Sequence, residues 1–368
     1  MRPVPSRLLR ELESAISVAP TGIVADCARA ELACYLARQG RLDEARSIVT
    51  ELRQKYGQMP NVAISAWLSL AEGIELYFRN LSTGSRDKVM RSHALSTAAG
   101  LVKMQALSAA WLSQMDFTKL AIEPLAQHAK QALKLAEPDD HSARSRASLV
   151  LAQALHVAGR WDLAAPWYRR AHTHATAQGD DATVSALMHN MVCMRLDNLR
   201  QTKLSGVGDA SGSNLVLPGT ESAGRFDELI GASSLSALKP LLRARILSLE
   251  GRPAEALILY EEHMLTDVDH GFSRMKSDML SDVAWCRVQL QQSELALAAA
   301  VSAEGNLNSE TQIDDRAATH TRLGWFYLAI GQMEEALRQE TLALQAWDTY
   351  VGMQVQIVEL LSTVTESG

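Results

Sequence analysis

Groups able to bind metals, attack carbonyls or shuttle protons are present in this chain, but their spacing assembles no reaction centre. The sequence has no H-E-x-x-H pair for zinc, no G-x-x-x-x-G-K-[ST] phosphate cradle and no G-x-S-x-G nucleophile turn. His172 and His174 stand two residues apart, which on a helix points them to different sides and disfavours a shared metal. His128, His141 and His263 have no matching neighbours in sequence. Gly206-x-Gly208 with Gly212 is a weak copy of a phosphate loop, because no strand precedes it and the spacing is wrong. Cys27, Cys34, Cys193 and Cys286 lack C-x-x-C spacing and read as small buried hydrophobes of a reduced compartment. The expectation is a non-enzyme with no catalytic residue, no metal and no cofactor.

The elements that carry these residues are helical. Aromatics are only 5% of the chain, and Ala and Leu outnumber the Val-Ile-Thr runs that favour strands. A net charge of -6 with interspersed signs argues against nucleic acid as a partner, since that surface needs clustered basic residues. The N-terminus lacks the apolar core of a secretory signal, and no window of about 20 apolar residues occurs. No membrane partner and a cytoplasmic address are expected.

One frame recurs along the chain. Its fullest copy is Leu323-Gly324-x-x-Tyr327-x-x-x-Gly331 followed by Ala336. Others are Leu32-Ala33 with Gly40 and Ala45; Leu151-Ala152 with Gly159, Ala164, Tyr168 and Ala171; and Ala244 with Gly251, Ala256 and Tyr260. Small residues at the eighth and twentieth positions let helices cross closely, and the glycine between them supplies a left-handed cap. Acidic residues follow it, as in Gly40-Arg41-Leu42-Asp43-Glu44-Ala45, and suit the positive N-terminus of a second helix. Unit starts near Asp26, Ile64, Val102, Ser145, Ser185, Ala237, Ser277 and Ala317 predict about eight helical hairpins.

Residues 202–223 are Gly- and Ser-rich and are expected to form a flexible insertion within the fifth hairpin. The chain thus divides into N-terminal hairpins over 1–201, the insertion over 202–223, C-terminal hairpins over 224–347, and a capping helix and tail over 348–368, all in one continuous stack. Residues 6–18, with Leu8, Leu9, Leu12 and Ile16 at helical spacing, are expected to cap the other end.

These residues resemble the tetratricopeptide repeat (TPR) superfamily, in the extended-repeat form similar to kinesin light chains and to the sensor regions of bacterial activators. The resemblance implies an all-α, TPR-like α-solenoid, a right-handed superhelix whose concave wall is built from the first helix of each hairpin and binds peptides, proteins or small regulators. Groove-facing offsets of those first helices give Arg146, Gln153, His156, His189, Cys193, Asp197, Arg245, Asp278, Trp285, Gln289, Thr321 and Trp325 as candidates. Trp285 and Trp325 hold equivalent positions in adjacent units, so they are expected side by side, either as binding anchors or as filling between long helices. Asn190 holds the position where related peptide-binding repeats grip an extended backbone with an amide; a plain polar surface explains it equally. The several basic residues that capture a C-terminal carboxylate in some relatives are not reproduced, and that mode is not expected.

The functional expectation is a non-enzymatic protein- or peptide-binding scaffold or adaptor, regulatory in role. Its groove would use Trp285 and Trp325 as anchors, with Gln153, His156, His189, Asn190, Arg245 and Asp278 around them. The alternative is a bacterial sensor whose superhelix closes on a small signalling molecule or peptide and acts through a partner protein. A homodimer through an end unit or the groove is compatible with either.

Overall fold

Ala- and Leu-rich stretches interrupted by left-handed residues fold, in a computed structural model, into helices, many of them joined by short turns. The structure describes residues 4–18, 21–80, 84–206, 215–234, 236, 238–264, 275–309 and 311–364. Among them the chain is all-α, with seventeen helices and no strand. A single helix, α1 (Arg7–Val18), precedes eight successive pairs. The first four pairs are α2 (Ile23–Arg38) with α3 (Leu42–Tyr56), α4 (Val62–Asn80) with α5 (Gly84–Ala98), α6 (Val102–Thr118) with α7 (Ile122–Leu135), and α8 (His141–Val157) with α9 (Trp161–Gln178). The others are α10 (Asp181–Ser205) with α11 (Val216–Ile230), α12 (Leu238–Leu249) with α13 (Pro253–His263), α14 (Lys276–Gln289) with α15 (Ser293–Asn306), and α16 (Ile313–Ala329) with α17 (Met333–Leu361).

Small residues set how the pairs stack. Ala284 of α14 and Ala296 and Ala303 of α15 are fully buried in one cluster with Leu323, Phe326 and Tyr327 of α16. The methyl-sized floor lets α16 settle into the groove of the preceding pair, and each large apolar side chain it buries contributes about 1.5–3 kcal/mol. In the same way α4 rests on α2 and α3, and α8 on α6 and α7.

Both ends of the row return to its middle. Ser233 N–H donates to Gln39 O at 2.8 Å, and Arg38 pairs with Asp180 at 2.5 Å. Gly40 has φ 86, and a Cβ there would lie 2.6 Å from Ser234 N, so the turn and the approaching backbone both require glycine. Leu8, Leu9 and Leu12 of α1 pack on Tyr35 and Ala182, seating that helix on α2 and the start of α10. At the other end Gln312 Nε2 donates to Thr118 O at 2.7 Å, and Ile357 and Leu361 enter the cluster of Leu125, Leu149 and Val150.

Two boundaries differ from expectation. No break separates 347 from 348: α17 runs unbroken, and its far half lies on α7 and α8 instead of covering the end of the stack. Ile357 and Leu361 are buried there. The insertion is also shorter than 202–223, because Leu204 and Val216 are buried and hold the ends of α10 and α11 in helix. Gly224, expected to begin the C-terminal hairpins, lies within α11. Residues 207–214 and 365–368 fall outside the described residues. No helix among the described residues is long and apolar enough to cross a membrane.

Candidate functional site

The inward faces of α10, α12, α14 and α16 meet in a buried ionic cluster. Arg200 of α10 binds Asp278 at 2.9 Å, Asp315 at 2.7 Å and Asp314 at 2.5 Å, and Arg245 of α12 binds the same Asp278. Next to it Arg322 holds Asp282 at 2.8 Å. Burial pushes Asp278 up to about 6 against the pull of Arg245 and Arg200. Burial, then the charge of Asp315, pushes Asp314 up to about 7. Arg245 and Asp278 therefore correct the sequence reading: they face each other across packed helices, not an open groove, because α10 closes onto α16. Removing these charges from water offsets much of their attraction, so the cluster adds less stability than its short contacts would suggest.

Other predicted groove residues are also enclosed. Gln153 is buried, with no partner for its Oε1 among the described residues. His156 is buried with Nδ1 3.2 Å from the Tyr168 hydroxyl, and burial, then the charge of Arg195, lowers it to about 4. His189 Nε2 lies 2.7 Å from Asp227 Oδ2, which also accepts Lys239 Nζ at 2.5 Å. Asn190 is half-buried. Cys193 and Cys286 are pushed up by burial to about 12 and 11, which leaves them poor nucleophiles. No group of three or more His, Cys, Asp or Glu among the described residues can hold a metal.

Trp285 and Trp325 do meet. Their ring centroids lie 5.4 Å apart at 61°, an edge-on geometry that aromatic pairs favour. The Arg322 guanidinium sits 5.2 Å from the Trp325 ring and 5.9 Å from Trp285. Both indoles are half-buried, and Trp325 continues into a groove.

That groove lies between α16 and the first half of α17, beside the end of α10, with a volume of about 450 Å³. Its floor is Gly324, Ala336 and Ala343, each forty residues beyond the Ala284, Ala296 and Ala303 on which α16 rests. Here no further helix of the described residues follows. The walls are Trp325, Leu328, Leu337, Leu344, Trp347 and Val351, and Leu328, Leu337 and Leu344 are more than half exposed. Trp347 Nε1 donates to Thr321 Oγ1 at 3.0 Å, fixing the indole against the floor. The charged groups lining the groove are Glu340 and Asp348, both exposed and neither in an ion pair among the described residues. Sequence reasoning found Trp325 through its repeat position. It missed the α17 wall, whose signal was the apolar stripe Leu337, Leu344, Val351 and Val355 running from the last expected hairpin into the expected cap.

Compared with known protein families and with curated proteins, the chain matches none.

Proposed function

We propose that this protein is a non-enzymatic, TPR-like helical scaffold that docks an amphipathic helix of a partner protein in the groove between α16 and α17. The observation carrying this reading is the floor of Gly324, Ala336 and Ala343, equivalent to the floor that receives α16 in the preceding pair, with exposed leucines around it. Every earlier pair supports a helix of the pair that follows; the last described pair leaves the same seat open, and a partner helix would fill it. An apolar face inserting at three- and four-residue spacing fits such a groove. Glu340 and Asp348, with no cation among the described residues lining the cavity, select Lys or Arg flanking that face. Trp325, half-buried at the groove, supplies a large rigid contact of the kind that dominates such interfaces. The expected site thus moves from the inner wall to the end of the row.

A photo-crosslinking residue at Leu344, with Ile258 on remote α13 as control, tests the reading in lysate of the source organism. The result expected is a cross-linked peptide with apolar residues three and four apart and flanking Lys or Arg, obtained from position 344 alone. Cross-links only within this chain, or the same products from both positions, would overturn it.

A further inference from the structure

A second cavity, of about 480 Å³, lies between α4, α6 and α8, away from the docking groove, with Trp67, Met104 and Leu107 as its apolar wall. It adjoins a narrower recess of about 30 Å³ that shares Trp67, Leu107, Glu31 and Ser142 with it and reaches Trp111 and Arg146. Arg146 is 5% exposed, with its guanidinium 4.1 Å from the centre of the Trp111 ring. Its hydrogen bond is to the neutral Gln114 Oε1 at 3.5 Å, the outer limit for such a contact, and no carboxylate among the described residues pairs with it. Neighbouring Arg38, by contrast, holds Asp180 at 2.5 Å and Thr183 Oγ1 at 2.8 Å, so that carboxylate is committed. A buried guanidinium without an anion is costly to keep, and its planar fork suits two carboxylate oxygens.

We propose that this cavity binds an organic monocarboxylate, its carboxylate received by Arg146 and its apolar chain or ring lying along Trp67, Met104 and Leu107. The recess has room for a carboxylate and little more, since one water alone takes roughly 10–15 Å³ of such space. The outer cavity is of the size that small-molecule sites use. Its remaining polar groups are largely satisfied among themselves: Ser142 with Gln178, His141 with His174, and Lys103 with Asp140. Glu31 on the shared wall is half-buried, and burial raises its carboxyl against the pull of Arg38; each further anionic group brought into the cavity adds to that cost, which disfavours dicarboxylates and phosphate esters. The absent multi-residue clamp excludes capture of a peptide terminus by many basic groups, but one buried arginine suffices for a small acid.

Isothermal titration of the full chain with octanoate, indole-3-acetate, octanol and inorganic phosphate tests this. The expected result is one saturable site for at least one of the two carboxylates, about tenfold or more weaker binding of octanol, and none of phosphate, which brings more negative charge beside Glu31 and no apolar part for the cavity wall. Arg146→Met should lower carboxylate affinity at least about tenfold without lowering the melting temperature. Leu107→Trp, which fills the cavity with Arg146 in place, should abolish binding and keeps the test decisive if the first variant fails to fold. No saturable carboxylate binding at millimolar concentration, equal binding of octanol, or unchanged affinity in Arg146→Met would overturn the proposal. The docking groove is on other helices, so its test is unaffected by either outcome.

Discussion

The side-chain amide of Gln354 donates to the carbonyl of Val157 at 2.7 Å, joining the far half of α17 to the end of α8. Gln354 also exchanges hydrogen bonds with Gln201 of α10. The last helix is thus committed to the middle of the molecule, and the groove beside its first half keeps its apolar walls in solvent.

This division of α17 predicts two classes of substitution. Ile357 is fully buried, and Ile357→Ala should cost about 2–5 kcal/mol in urea unfolding. Leu344 is exposed on the same helix, and Leu344→Ala should change stability by no more than about 0.5 kcal/mol. Equal costs at both positions would mean that the groove is filled.

The ionic cluster should oppose stability as pH rises. Asp314 is raised in the folded chain to about 7, so the folded state holds more protons than the unfolded one between about pH 4 and 7, and its contribution is lost across that window. Asp314→Asn should therefore match the native chain near pH 4 and exceed it at pH 8 by on the order of 1–2 kcal/mol, because Arg200 keeps Asp278 and Asp315. Chemical denaturation at the two pH values measures the difference.

His156 has the opposite sign. Its neutral form is favoured by burial and its pKa falls to about 4, so it contributes stability above about pH 6.5 that is lost as pH falls towards 4. His156→Gln should narrow the gap between melting temperatures measured at pH 7.5 and pH 5.

Gly40 and Gly159 occupy the same position of the repeat frame and differ in surroundings. At Gly159 (φ 71) an added Cβ would meet nothing within 4 Å, so Gly159→Ala should cost about 1 kcal/mol for the left-handed conformation alone. Gly40→Ala adds a clash with the backbone of Ser233 and Ser234 and should cost clearly more by thermal unfolding, since the closure between the first pair and the chain's middle must give way.

The helical class and the eight pairs were legible because small residues and cap glycines repeat locally, as with Gly324, Gly331 and Ala336. The fate of the inner wall was not. Arg200 reaches Asp278 and Asp315 across 78 and 115 residues, and no local pattern reports such a pairing. Trp285 and Trp325 were found because equivalent repeat positions become neighbours in space. The groove beside Trp325 was hidden because an apolar stripe on α17 reads the same whether it covers the stack or stands open.

The most direct test of the docking account is the affinity of the partner segment cross-linked at position 344. Calorimetric titration should give at least about tenfold weaker binding to Leu344→Arg, with Ile258→Arg indistinguishable from the native chain. Equal affinity for Leu344→Arg and the native chain would contradict the account.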